Sequence, residues 1–338
     1  MANINDVAKE AGVSITTVSR VLNNNYPVKE ETRIKIEKAI EKLNYKPNTM
    51  ARSLITKKSS MIGVIVPGIT NLFFPTIVEA IEEFVNKKGY SIALSNTEGD
   101  PKKELKLVEE LIGRQVDGII LIDPTMENLH KRCYNELSKS IPTIIVNGSP
   151  EGYKGSFVCY DEEVGTQEAF DYLLELGHEK IALIRGHKSF SYDIKEKIYK
   201  NVLKNNKLSY EKIIDAGKGN SSEVIERTQI VVEQLLQKEE RPTAIFACND
   251  LMAVGALNAC IDLGIKVPKD ISIIGFDNTI LAEVTHPKLT SVDLNMKEIG
   301  YRAALELLEL IEEGEKSRKK LILDTKLVIR GSCAPAIK

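Results

Sequence analysis

Residues 4–24 read INDVAKEAGVSITTVSRVLNN, and that stretch decides how the chain begins. Val7, Ala8 and Ala11 share one face at helical spacing, with Asn3 placed to cap the helix and Asp6 three residues behind it. Gly12 ends that helix in a tight turn. Ser14 caps a second helix whose Val18, Val21 and Leu22 face inward, and Val13 is placed to staple onto Val18. A third helix over about 30–43 repeats Ile36, Ala39, Ile40 and Leu43 at i, i+3, i+4 and i+7, with Glu30 and Glu31 at the positive end of its dipole. Two helices joined by a short glycine turn form a helix-turn-helix, and its second helix enters the DNA major groove by its N-terminal residues. The outward positions there are Ile15, Thr16, Ser19 and Arg20, with Thr17 beside them. Hydroxyls can bond base edges or phosphates, Arg can grip guanine with two N–H groups, and Ile15 can touch a thymine methyl. The competing reading is a plain three-helix bundle with a solvated face.

Charge is distributed in keeping with the first reading. Residues 1–60 hold eleven Lys plus Arg against six Asp plus Glu, whereas the whole chain of 338 residues carries a net −2. A basic head on an acidic body suits a polyanionic partner. The five cysteines, Cys133, Cys159, Cys248, Cys260 and Cys333, contain no CxxC pair, so neither a disulfide framework nor a metal site is expected. The N-terminus is polar and no apolar run is long enough to span a bilayer, so the expectation is a soluble, cytoplasmic protein.

Farther along, Tyr45-Lys46-Pro47-Asn48 breaks the third helix, and Asn48–Leu54 is too short for a stable helix alone. The ordered set INDVAKEAGVSITTVSRVLNN, VKEETRIKIEKAIEKLNYKPN and MARSL resembles the DNA-binding head and hinge of the lactose/galactose-repressor family. That resemblance implies a hinge helix formed on DNA by residues including Asn48 and Ala51. Leu54 would be wedged into the minor groove, where an apolar side chain unstacks a base step and kinks the duplex. Two residues depart from the pattern. Lys29 replaces the usual Ser cap of the third helix, and Ile55 follows Leu54 where some members carry Lys.

From Met61 onward, β-branched runs alternate with amphipathic stretches: Ile62–Val66, Gly118–Ile122, Thr143–Val146, Ile181–Ile184, Ala244–Ala247 and Ile271–Ile274. Such alternation implies parallel sheets covered on both faces. The two halves echo each other, since DGIILIDP (117–124) and TAIFACND (243–250) are both buried-strand patterns ending in Asp. The fold class expected is α/β, an all-α helix-turn-helix head plus a two-lobed domain with two parallel sheets. YDEEVGTQEAFDYLLELGHEKIALI, TAIFACNDLMAVGALNACIDLGIKVPKDISIIGFDNT and HPKLTSVDLNMKEIG again resemble the family, whose lobes are built like periplasmic sugar-binding proteins and joined by three crossings. The expected boundaries are a head and hinge at 1–58 and an effector-binding and dimerisation domain at 59–338. Within it, one lobe spans about 59–160 plus 291–322 and the other about 161–290 plus 323–338.

Ligands in such folds sit beyond strand C-termini. The candidates there are Asn71, Phe73, Phe74 and Asp123 in the first lobe, and Asp161, Lys195, Asn249 and Asp277 in the second. Carboxylates and amides can take paired bonds from sugar hydroxyls, and an aromatic ring can pack on the ligand. Phe73 and Phe74 are adjacent, so one of them is expected to be plain core. Asp123 and Asp161 can equally serve as caps or turn residues. Asn249 and Asp277 match the family's ligand positions. Lys195 stands where the family usually has Arg, followed here by Ile198-Tyr199 instead of a Gly-aromatic pair. Gly219 or Asn220 occupies the place of a stacking aromatic, so that wall is expected to be missing.

These features imply a transcriptional regulator, a repressor of carbohydrate genes, that binds a pseudo-palindromic double-stranded operator as a homodimer. Its switch would be a small polar metabolite such as a sugar or sugar phosphate, with no cofactor. LSNTEGDPKKELKLVEELIGRQVDGIILI (94–122) also resembles the catabolite-control members, which answer to a phosphorylated carrier protein. A sugar-transport protein would explain the lobes but not the head. An enzyme is not expected, because the sequence has no GxGxxG, phosphate loop or nucleophile elbow, and His130, His178, His187 and His286 are scattered.

Overall fold

The computed structural model describes residues 2–23, 26–45, 58–147, 153–187, 189–219, 221–314 and 318–337. The chain divides into two compact units, 1–59 and 60–338. In the first, α1 (Ile4–Ala11), α2 (Ile15–Asn23) and α3 (Glu30–Lys42) enclose a core of Val7, Ala8, Val18, Val21, Ile36 and Ala39, with Val13 packed alongside. The Asn3 side chain accepts from the N–H groups of Asn5 and Asp6, and Asp6 accepts from Asn3 N at 2.9 Å, a reciprocal capping box. Gly12 then turns the chain at φ 68, where a Cβ would clash with its own backbone. Lys29 precedes α3 with no side-chain cap. Lys42 ties α3 to α1 through Glu10 at 2.6 Å.

The second unit holds two six-stranded sheets. In the first, β1 (Met61–Val66), β2 (Ser91–Asn96), β3 (Gly118–Ile122), β4 (Thr143–Val146), β5 (Ser156–Tyr160) and β11 (Lys320–Leu323) pair in the order β11-β5-β4-β3-β1-β2, all parallel. Side chains alternate across it. Ile62, Val64, Ile120 and Ile122 meet α4 (Phe73–Lys87) and α13 (Met296–Glu313), whereas Ile65, Ile119 and Leu121 meet α5 (Pro101–Gly113). The second sheet, β12-β10-β9-β8-β6-β7, comprises β6 (Ile181–Arg185), β7 (Lys212–Asp215), β8 (Ala244–Ala247), β9 (Ser272–Asp277), β10 (Thr290–Asp293) and β12 (Lys326–Val328). Only the β12 edge is antiparallel. Its covering helices include α8 (Glu162–Glu175), α9 (Phe190–Asn205), α10 (Val224–Leu236) and α11 (Asp250–Asp262). The short helices α6 (Met126–His130), α7 (Cys133–Ser140) and α12 (Ile280–Val284) complete the series.

Both sheets share one order: the strand that opens each lobe lies between its second and third. Adjacent crossovers therefore leave on opposite faces, opening a crevice at the strand C-termini beside β1/β3 and β6/β8. Three connections join the lobes. Asp161 N donates to Leu323 O at 2.8 Å and Thr325 Oγ1 donates to Asp161 O at 2.8 Å, so two of them run bonded side by side. A Cβ at Gly165 would lie 2.6 Å from both Thr325 and Val292, where the third passes. The boundaries differ from the expected ones at two places. Ser291–Asp293 pairs with β9, so the return to the first lobe follows Asp293 and not residue 290, and Leu323 completes β11 in the first sheet. Both differences arise because strand pairing continues past the sequence landmark that marks a crossing.

Candidate functional site

Two regions bring together residues able to bind. The first is the leading end of α2. Ser14 Oγ accepts from Thr17 N at 3.2 Å and bonds Thr17 Oγ1 at 2.8 Å, so the Thr17 hydroxyl belongs to the cap. Ile15 is 47% exposed, Thr16 and Arg20 are also exposed, and Ser19 is half-buried. An exposed isoleucine on a capped, rigid helix turn is an apolar contact surface that the head itself does not use. The Arg20 guanidinium lies over the ring of Tyr26, 4.6 Å from its centroid. Sequence reasoning missed Tyr26, whose only signal was an aromatic beside the proline of Tyr26-Pro27. Asn48, Ala51 and Leu54 lie outside the described residues.

The second region is the crevice. Seven of the eight expected residues line one inner cavity of about 30 Å³: Asn71, Phe73, Phe74, Asp123, Lys195, Asn249 and Asp277. That is room for about two waters. A wider chamber of about 480 Å³ adjoins it and shares Ser189 and Tyr192 with it.

The first sheet contributes from two strand ends. Asn71 Oδ1 accepts from Phe73 N at 3.0 Å and starts α4. Phe73 and Phe74 both line the cavity, contrary to the expectation that one would be plain core. They occupy the first turn of α4, which points end-on at the crevice, and their rings meet edge to face at 5.1 Å. Asp123 follows β3 at φ 48. Burial pushes its carboxyl up to about 7, aided by the negative charges of Glu162 and Glu104 and opposed by Lys195.

From the second sheet, Lys195 arrives on α9 and is 1% exposed. Its ammonium donates to Glu162 and, at 2.7 Å, to Ser191 Oγ, and it sits 3.7 Å from the centroid of the Phe276 ring. Glu162 also accepts from Ser191. This pair was not foreseen. Two glutamates opening a helix read as complements to its dipole, which hides the one that turns inward. Asp161 itself does not line the cavity, because its carboxylate accepts from Val164 N at 3.1 Å as the cap of α8. Asn249 lines it with its amide engaged, accepting from Met252 N at 2.9 Å and donating to Gly219 O at 3.1 Å. Asp277 ends β9 at φ 104, and no hydrogen bond reaches its carboxylate among the described residues. Burial holds its carboxyl well above the usual range, with Asp250 behind it adding to the effect. Asp250 accepts from Thr279 N at 2.7 Å and Ser291 Oγ at 2.7 Å.

The expected loss of an aromatic wall at Gly219 is corrected by Tyr192. A Cβ at Gly219 would stand 2.0 Å from Tyr192 Oη, so the glycine makes space for a ring delivered from α9. An aromatic is present at that wall, supplied by another element.

The arrangement offers carboxylates, an amide and ring faces, the equipment of a binding site. Groups of three or more His, Cys, Asp or Glu able to hold a metal do not occur among the described residues. Nor is any described helix long and apolar enough to cross a membrane.

Residues 3–48 match the family described as bacterial regulatory proteins, lacI family, and residues 170–333 match the periplasmic binding protein-like domain. The HTH-type transcriptional repressor PurR of Vibrio atlanticus (strain LGP32) is 35% identical over 336 residues, 98% of each chain. Catabolite control protein A of Priestia megaterium is 39% identical over 301 residues, 88% of this chain and 89% of its own. Among solved structures, the lac repressor dimer bound to operator and the anti-inducer ONPF superposes with a TM-score of 0.86 at 28% identity, over 98% of this chain and 99% of that one.

Proposed function

Because the chain belongs to the lacI family of bacterial regulatory proteins, we propose that it is a sequence-specific transcriptional repressor whose grip on DNA is set by a small polar metabolite in the crevice. The observation that carries the DNA half is the exposed leading end of α2, where Ile15, Thr16 and Arg20 stand free of the head's own core. Arg20 would exchange the Tyr26 ring for a guanine edge, and Ser19 and Thr16 would fix register on phosphates. A two-fold homodimer on a pseudo-palindromic operator follows from paired reading heads. Asn48, Ala51 and Leu54 would complete the contact in the minor groove.

The metabolite would bridge Asn71 and Asp123 of the first sheet to Asp277 and its neighbours in the second, and so fix the angle between the lobes. It can shift operator affinity only by binding one lobe arrangement better than the other. The test is fluorescence anisotropy with genomic fragments bearing candidate operators, with and without metabolites. A chain that binds random and genomic DNA alike would refute the reading.

A second reading, response to a phosphorylated carrier protein, draws on the likeness to catabolite control protein A and on the small inner cavity, which leaves little room for a sugar ring in this arrangement. Titrating operator-bound protein with such a carrier, phosphorylated and not, separates the two.

A further inference from the structure

We propose that the inner cavity takes the ammonium group of an organic amine, held by the Asp123 and Asp277 carboxylates with the rest of the molecule in the adjoining chamber, and not a phosphorylated sugar. The inference rests on the crevice being the effector site and names the class of effector.

The carboxylates come first. Asp277 is more than nine-tenths buried, lines the cavity, and accepts no hydrogen bond among the described residues. Asp123, half-buried, lines the cavity from the other sheet, and no donor reaches its carboxylate among the described residues. Carboxylates that face a narrow cavity with no protein donor gain most from a ligand that supplies donors or counter-charge. An ammonium supplies both. Both residues also hold the left-handed backbone region, at φ 48 and φ 104, a strain that clusters at ligand sites.

The cations come second. Among the described lining residues Lys195 is the one with a permanent positive charge, and its ammonium is already committed to Glu162 and Ser191. A phosphate in the inner cavity would meet Asp123 and Asp277, with Glu162 behind Lys195, and no free positive partner among the described lining residues there; Lys218 lines only the adjoining chamber. Arg185, which ends β6, is bound to Asp193 and Glu196, and Arg330 is bound to Asn278 and Leu289 O.

Lys195 also shows how this interior treats a cation. Its ammonium is almost wholly buried, yet held by one carboxylate, one hydroxyl and the face of Phe276. The rings of Phe73 and Tyr160 line the cavity beside Asp123 and Asp277 and offer the same combination again, with no cation over either ring among the described residues, whereas Tyr192 already has the Lys195 ammonium 5.8 Å from its centroid. The raised carboxyls of Asp123 and Asp277 agree, since burial and the neighbouring acids raise both and the Lys195 charge only partly offsets them. Asp123, Asp277, Asp250, Glu162, Glu104 and Lys195 are the charged groups that act on one another about the cavity.

The experiment compares matched probes on the full chain by thermal shift and calorimetric titration. Ethanolamine and 1,4-diaminobutane are set against ethylene glycol, 1,4-butanediol and glucose 6-phosphate, with wild type, D123N and D277N. The expected result is a rise in midpoint of about 3 °C at tenfold the dissociation constant for the amines alone, and at least a tenfold loss of amine affinity in D277N. The amide keeps the side chain's shape and removes a buried acid, so the variants should melt no lower than wild type. A diol matching its amine, or no response to any probe, overturns the proposal. Glucose 6-phosphate shifting wild type but not D277N would keep the crevice as effector site and overturn the cation. Amine shifts that survive both substitutions would overturn the site itself.

Discussion

Asp123 shows how one side chain can set a property of the whole unit. Its carboxyl is pushed up to about 7 in the fold, against about 4 in an unfolded chain. Between those values the folded state holds the extra proton, so this contribution to stability is complete below about pH 4 and declines as pH rises through about 7. Asp250, pushed to about 6, acts in the same direction, and His178, lowered by burial, acts in the opposite one. Urea midpoints of wild type and D123N at pH 5 and pH 8 should therefore diverge at the higher pH. D123N should be the more stable there, by on the order of 2 kcal/mol. Equal midpoints at both values would place Asp123 in ordinary solvent. At the other site, R20A should weaken operator binding by about 1–3 kcal/mol and relax preference at one base pair. Leaving the exposed Tyr26 ring costs little by comparison, about 0.5–1 kcal/mol. Anisotropy titrations against operators varied one base at a time measure both effects. At this scale the sequence was legible where a residue type has one use. Asp277 and Lys195 could be picked out, but Asp161 and Glu162 could not be told apart, because which of two neighbouring acids caps the helix and which turns inward is settled by packing.

Elements were easier to read than side chains, and their ends carry testable energies. Lys29 offers α3 no cap, so K29S should stabilise the head by about 1 kcal/mol, and S14A, which strips the cap of α2, should cost a similar amount. Thermal melts of the intact chain followed by near-head probes report both, and equal melting of the two variants would mean that neither cap matters. G219A is expected to cost about 1–3 kcal/mol by overpacking, because the new methyl would occupy the place of Tyr192 Oη. Recovery in the double variant G219A/Y192F, which removes that oxygen, is the check. The strands with continuous apolar runs were visible in the sequence because both their faces are covered. The edge strands β2 and β7 are half-exposed and carry polar residues, and β12 has three residues, too few to show a period. Phe73 and Phe74 were both legible as candidates, and only the rule for helix sides that set one aside fails, since the first turn of α4 meets the cavity with its end.

The whole molecule is two compact units with separate cores, and that division should be measurable. The head's core is small, six buried apolar residues among those described, so it is expected to melt first, giving two calorimetric transitions of which only the earlier responds to K29S. A single transition moved by K29S would mean that the units unfold together. That the larger unit has two lobes was legible from alternation that runs too long for one sheet, and from the echo between DGIILIDP and TAIFACND. Where the chain crosses between lobes was only approximately legible, since the crossings are continuations of strands.

Those crossings limit what the crevice can report. Two are laced together through Asp161, Leu323 and Thr325, and the third presses on the same spot at Gly165. Straps fastened side by side bend together and resist sliding past one another, which leaves the lobes one soft coordinate. An effector bound in the crevice, as proposed, would then be registered as a single scalar, with its shape and chemistry discarded beyond the hinge. Two occupants of unlike structure that set the same value would send an identical message, so discrimination among metabolites must be finished inside the cavity.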